Sequence, residues 1–338
     1  MLPITAKTII VAEAGVNHNG DFDMACRLVE AAADAGADIV KFQTFQSDAV
    51  ISVCAPKAAY QQEATGAAES QLDMVRKLEL PMEAFVALKK HCDERGIRFW
   101  STAFDRKSVD FLHGLGLGLW KIPSGEVTNL PYLRQIGAYG QEVVLSTGMT
   151  TLGDVETALD ILERAGTPRA QVILLHCTTD YPAPLADVNL RAMETMRCAF
   201  PGVRGVGYSD HTKGIEVSLA ATALGAVMIE KHFTLDNTMI GPDHADSLEP
   251  AELAVLVRGV RNVSLALGDG WKRPSVKEME NRIVARKSLV AAIPIKKGDV
   301  LSEKNMTVKR PGSGISALRW DEYCGRIAER DYQADELI

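Results

Sequence analysis

Eight short apolar runs, each followed by a segment with helical periodicity, restrict this chain more than any other feature in it. Between residues 8 and 266 they read TIIVAEAGV, ADIVKFQTF, IRFWSTAF, LWKIPSGE, EVVLSTG, VILLHCTT, VRGVGYSDH and AVMIEKHFT. The runs are nearly continuous in apolar character, as parallel strands covered on both faces must be. Between them, segments such as DMACRLVEAAADAG, MEAFVALKKHCDERG and LGDVETALDILERAG repeat apolar residues at three- and four-residue spacing. Three such segments end at Gly36, Gly96 and Gly166, and Gly225 follows another. Glycine closes a helix in the left-handed conformation without a Cβ penalty. Eight strand-then-helix units predict an α/β fold, the (β/α)8 or TIM barrel. A doubly wound open sheet is the competing arrangement. It would want a GxGxxG after the first strand and polar residues at one switch point, whereas here polar residues end nearly every run.

The barrel reading occupies residues 1–268 of a 338-residue chain. A polar connector carrying Lys272, Arg273, Pro274 and Lys277 follows, over residues 269–285. Residues 286–338, beginning ARKSLVAAIPIKKGD, show short β-type runs with Gly and Pro punctuation and predict a small compact module. Residues 46–72, rich in Ala, Gln and Ser, predict a long loop after the second strand, suited to a lid or substrate wall.

The net charge of −7 argues against nucleic acid or an anionic membrane as the main partner, so any anionic ligand must be met locally. Six cysteines without CxxC spacing indicate neither a zinc ribbon nor a disulfide framework, and a reducing cytoplasm fits them. The first residues, MLPITAKTIIVAEAG, lack the pattern of a secretory leader. No segment reaches the 18 or more apolar residues of a membrane helix.

Barrel active sites are assembled at the C-terminal ends of the strands. Here those ends hold Glu13 after the first run, Lys41 and Gln43 on the second, Thr102 on the third, and Lys121, Ser124 and Glu126 on the fourth. Tyr181 follows the sixth, Ser209 and His211 end the seventh, and Glu230, Lys231 and His232 end the eighth. A lysine inside an apolar run costs several kcal/mol to desolvate unless it meets an anion. Lys41 in IVKFQTF and Lys121 in LWKIPSG both qualify. One purpose is to hold phosphate and carboxylate oxygens. The alternative is that they snorkel to the rim or pair with Glu13 and Glu126. Lys231 alternates with its neighbours, so it faces the helix layer and predicts a structural ion pair. The same alternation puts Ser209 and His211 on one face, and Glu230 and His232 on one face of the adjacent strand, about 4.8 Å away. Two imidazoles so placed can share a divalent cation with positions left for water and substrate, or form a hydrogen-bonded core pair. Oxygen ligands completing the shell would suit Mn²⁺ or Mg²⁺, while affinity order also allows Co²⁺ or Zn²⁺.

Taken in order, VAEAGVNHNG, KFQTF, STAFD, WKIPSGE, LSTGM, LLHCTTDYPAP, GYSDHT, IEKHFT, GPDH and KRPGSG resemble the sialic acid synthases, and more broadly the nonulosonate synthases. That resemblance implies a barrel followed by an antifreeze-like (SAF) domain, in a domain-swapped homodimer where each C-terminal module caps the partner's barrel. It implies condensation of phosphoenolpyruvate with an N-acylated mannose derivative, with release of phosphate by C–O cleavage. Lys41, Thr102, Lys121, Ser124 and Ser209 would cradle phosphoenolpyruvate, and His211 and His232 would bind the metal, Mn²⁺ before Mg²⁺ or Co²⁺. Glu13, Gln43, Tyr181 and Asp243 would hold the sugar and its reacting centre, Glu126 would act as acid/base, and Arg310 would reach the N-acyl group in the neighbouring subunit. The sequence departs from some family members at Thr179, Ala103 and Pro123, where those carry Asn, Pro and Gly. TTDYPAP, TNLPYL and GPDHADSLEP resemble the legionaminate branch, so the sugar is N-acetylmannosamine or a 6-deoxy-2,4-diacetamido hexose. Two other readings stay open: a Schiff-base aldolase using Lys41 or Lys121, and a non-catalytic sugar binder.

Overall fold

The structure, a computed structural model, describes residues 7–338 except Ala59, Tyr60, Glu63, Ala64 and Ala67. The leader-free reading of residues 1–6, and those five positions of the expected long loop, lie outside the described residues.

Eight strands form one parallel sheet: β1 (Ile9–Gly15), β2 (Ile39–Thr44), β3 (Arg98–Ala103), β4 (Leu119–Ile122), β5 (Glu142–Ser146), β6 (Val172–Cys177), β7 (Gly205–Asp210) and β8 (Met228–His232). They are ordered β3-β2-β1-β8-β7-β6-β5-β4. The two ends of that order, β3 and β4, pack together, and Trp100 Nε1 on β3 donates to the Leu119 carbonyl on β4 at 2.8 Å. The sheet is therefore closed, and the fold is the expected TIM barrel. Its strands are buried on both faces, β1 over all seven residues, which is why the runs read as continuous rather than alternating.

Helices cover the barrel with one apolar stripe each. Phe22–Asp34 buries Ala25, Leu28, Val29 and Ala32, and the Asp21 side chain accepts from the Met24 amide to start it. Each buried Leu or Val contributes roughly 1.5–3 kcal/mol, so the stripe, more than propensity, holds such a helix in place. Met82–Arg95 ends at Gly96, whose φ of 71° is the left-handed cap the sequence suggested. The segment between β2 and Met82 is not loop throughout, since Ser47–Val50 and Gln71–Arg76 are short helices.

The chain divides into two compact units, Met1–Gly268 and Asp269–Ile338. In the second, β9 (Ser288–Ala291) pairs antiparallel with β10 (Met306–Lys309). Ala291, Ile295, Leu301, Met306, Ala328 and Tyr332 form its small core. The expected polar connector contains a helix, Val276–Ala285, opened by a capping box in which Ser275 and Glu278 bond each other's backbone amides.

Candidate active site

β1, β2 and β8 place their inward residues in register: Glu13 stands opposite Lys41 on one side and His232 on the other. Lys41 and Lys121 are each only 3% exposed, so their charges need partners. Lys41 Nζ lies 3.2 Å from Glu13 Oε2 and 2.9 Å from Glu230 Oε2. Lys121 Nζ lies 2.6 Å from Glu230 Oε1, which also accepts from Ser209 Oγ at 3.1 Å. Glu230 thus bridges both lysines. Lys231, on the other face of β8, pairs with Asp210 at 3.1 Å in the helix layer, as alternation required.

These charges set one another's protonation. Burial pushes the Glu13 carboxyl up to about 7, with Lys41 pulling against the rise and Glu230 adding to it. For Glu230 burial acts upward too, but the two lysines outweigh it and hold the carboxylate well below its ordinary range. Burial works to lower Lys41, and Glu13 and Glu230 overcome it, so this ammonium is held above the ordinary lysine value. Lys121 is drawn the other way by burial, down to about 8.

The charged cluster floors a cavity of about 510 Å³ at the C-terminal ends of the strands, within the size range of small-molecule sites. Thr102 Oγ1 and Ser146 Oγ line it, buried and with no hydrogen-bond partner among the described residues. Ser124 Oγ accepts from the Gly148 amide at 2.9 Å. A Cβ on Gly148 would sit 2.0 Å from Thr179 Oγ1 and 2.8 Å from Ser124 Oγ, so only glycine permits this close approach. Hydroxyls and two ammonium groups together make a cradle for an oxyanion.

In the same cavity the His211 and His232 rings stand 5.5 Å apart. Tyr181 packs on both, 4.2 Å from the first and edge-on to the second at 5.9 Å. His211 Nδ1 is taken by the Thr178 carbonyl at 2.7 Å, which leaves Nε2 as its free nitrogen. Burial first, then His211 and Lys41, keep His232 neutral, far below the ordinary imidazole value. Its Nδ1 is buried without a partner among the described residues. The Nε2 of His211 and the unpartnered Nδ1 of neutral His232 fit a divalent cation. Among the described residues no group of three His, Cys, Asp or Glu side chains could enclose one, so its remaining positions would be open. A Cβ on Gly15 would come within 3.4 Å of Gln43 Nε2 and Glu13 Oε1 and 3.7 Å of His232 Cε1. Three polar side chains therefore converge on one small space. Asp243 lines the cavity as well, its carboxyl pushed up to about 6 by burial against the charge of His211.

One expected residue, Glu126, is not brought into this group. β4 stops at Ile122, and Ser124–Glu126 forms a 3-10 turn that breaks strand alternation, so Glu126 falls outside the cavity lining. Its carboxylate accepts from Asn129 Nδ2 at 2.6 Å instead, and Lys121 pairs with Glu230 rather than with Glu126. Arg310 belongs to the second unit, where it is exposed and donates to the Ala285 carbonyl at 3.1 Å. The residue that sequence reasoning passed over is Glu230. Its alternation with His232 gave its face but not its two ion pairs.

A closed parallel barrel with an oxyanion cradle and paired imidazoles at its strand ends defines a TIM-barrel enzyme for small anionic substrates. The chain belongs to the NeuB family, matched over residues 28–272, and its residues 286–338 match the SAF domain. It is 54% identical to an N,N'-diacetyllegionaminic acid synthase of Campylobacter jejuni, over 98% of this chain and 99% of that protein. A second N,N'-diacetyllegionaminic acid synthase, from Legionella pneumophila, is 43% identical over 91% of this chain and 86% of its own. Among solved structures, the N-acetylneuraminic acid synthetase of Leptospira borgpetersenii, crystallised with citrate, superposes with a TM-score of 0.71 at 35% identity, covering 81% of this chain and 90% of that one.

Proposed function

We infer that this protein condenses phosphoenolpyruvate with an open-chain N-acylated mannose derivative, giving a nine-carbon 2-keto acid and inorganic phosphate. The observation that carries this is one cavity that holds both an oxyanion cradle around Lys41 and Lys121 and the paired imidazoles of His211 and His232. The 54% and 43% identity to N,N'-diacetyllegionaminic acid synthases, against 35% to the N-acetylneuraminic acid synthetase, favours a 2,4-diacetamido-6-deoxy hexose over N-acetylmannosamine.

In this reading Lys41, Lys121, Thr102, Ser124 and Ser209 take the phosphate and carboxylate of phosphoenolpyruvate, and their fixed donors need no reorganisation as charge moves. His211 and His232 would hold a divalent cation, Mn²⁺ first among the candidates, which would supply Lewis acidity toward the sugar carbonyl. The enolpyruvate C3 attacks that carbonyl carbon, water adds at C2, and the bridging C–O bond breaks as phosphate leaves. Glu13, with its carboxyl raised to about 7, replaces Glu126 as the acid/base group, since it lines the cavity and can exchange a proton near neutrality. Gln43, Tyr181 and Asp243 orient the sugar, which turns a bimolecular encounter into a positioned one. A Schiff base at Lys41 is disfavoured by its two carboxylate partners, which keep it protonated.

The six free thiols suit a reducing cytoplasm, and no helix among the described residues is long and apolar enough to cross a membrane. The family resemblance supports a swapped homodimer with Arg310 acting on the partner's site.

The test is phosphate release on mixing the protein, Mn²⁺, phosphoenolpyruvate carrying heavy oxygen at the bridge, and each sugar. Label in the phosphate and a nine-carbon keto acid by mass spectrometry are expected; no phosphate with either sugar would end the reading. Chelation should abolish turnover, and Mn²⁺ should restore it to the wild type but not to His211→Ala.

A further inference from the structure

The part of the cavity beyond the ends of β2 and β3 has a different chemistry. Its wall is Phe45, Val50, Ile51, Val75, Leu78 and Phe104, from the ends of β2 and β3 and from the segment that follows β2. Phe45 and Phe104 meet edge to face at 6.4 Å, and Phe45 and Leu78 belong to a buried cluster against which Val75 and Phe104 pack. The wall is therefore anchored. Two amides interrupt it. Gln71 Nε2 donates to Gln61 Oε1 at 3.4 Å, and the Ala58 amide donates to the same oxygen at 3.1 Å. Gln61 Nε2 and Gln71 Oε1 keep no partner among the described residues, so one donor and one acceptor stand free beside an apolar surface.

The position of the wall says which part of a substrate meets it. His211 and His232 follow β7 and β8, whereas the wall follows β2 and β3, with β1 between them. A sugar whose reacting carbonyl lies at the histidines, and whose nearer hydroxyls meet Glu13 and Gln43, directs its far end at the wall.

We propose that Ile51, Val75, Gln61 and Gln71 determine sugar specificity: the apolar wall receives a 6-deoxy methyl terminus, and the paired glutamines receive a second acetamido group. The inference rests on the nonulosonate reading above and adds to it the residues that choose the substrate. A hydroxymethyl group against the Ile51 and Val75 side chains would lose water and gain no partner from them, and a single hydroxyl oxygen would have to meet from one atom a donor and an acceptor that an acetamido group meets with two. A polar mismatch against an apolar pocket is worth discrimination of about 100-fold.

The experiment measures kcat/KM for 2,4-diacetamido-2,4,6-trideoxymannose and for N-acetylmannosamine, with phosphoenolpyruvate and Mn²⁺, in the wild type, Ile51→Thr, Val75→Thr and the double variant Gln61→Leu with Gln71→Leu. The ratio of the two constants is the readout, because the fraction of folded protein cancels from it. The wild type should prefer the diacetamido sugar, and each variant should narrow that preference by about tenfold. Ratios within about twofold of the wild type in every variant, with phosphate still released, overturn the inference alone. Absence of phosphate release from the wild type with both sugars overturns the reaction class and the inference with it.

Discussion

Glu230 is the residue on which the charge balance of the cavity turns, since one carboxylate faces two buried ammonium groups. Replacing it by Gln leaves both lysines undercompensated. A buried pair broken from one side costs about 3–5 kcal/mol. Glu230→Gln should therefore melt many degrees below the wild type, by calorimetry, and lose most of its turnover. His18 gives a pH signature. Burial, chiefly, lowers its folded pKa to about 4 from the ordinary 6.5, and its Nδ1 accepts from the Gly20 amide. The unfolded chain takes up the proton first, so His18 contributes no pH dependence above about 6.5 and reduces stability as pH falls toward 4. The total is on the order of 3 kcal/mol. Thermal midpoints between pH 7 and 4 should fall less steeply in His18→Gln, and parallel slopes would refute this. Alternation along β8 placed Glu230 and His232 on one face from sequence. Which strand would present them with lysines was not readable there, because ion pairing across the barrel depends on its shear.

At the scale of elements, strand ends and the turns after them fix what the cavity offers. The β5 turn works because Gly148 lets its amide reach Ser124 beneath Thr179. Gly148→Ala would force Thr179 and Ser124 apart, and the KM for phosphoenolpyruvate should rise on the order of tenfold or more, with sugar affinity less affected. Steady-state kinetics with each substrate varied separately would check it. The turn after β4 shows the opposite limit: alternation carries an assignment only while the strand lasts, and beyond Ile122 the 3-10 turn takes Glu126 away. Helices were legible where an apolar stripe recurs. Val276–Ala285 was missed although SVKE spells its capping box, because none of its residues is buried and no stripe announces it.

For the whole molecule, the proposed swapped dimer predicts complementation. A Lys121→Ala chain and an Arg310→Ala chain, each inactive alone, should regain about a quarter of wild-type activity after mixing and exchange, since half of the dimers would be mixed and each would hold one intact site. No recovery would mean that each module serves its own barrel. The sequence by itself determined the eight-unit barrel, the second module, and the strand ends where chemistry would gather, because hydrophobic period and glycine punctuation are local properties of the chain. Only the tertiary structure decided that Glu230 bridges both lysines, that Glu126 stands aside, and that the residues after β2 raise an apolar wall with one open amide donor and one open acceptor. The first depends on closing the sheet, which brings Lys41 and Lys121 to a glutamate more than a hundred residues away, and the others on the path of the chain beyond the strand ends, which hydrophobic period does not encode.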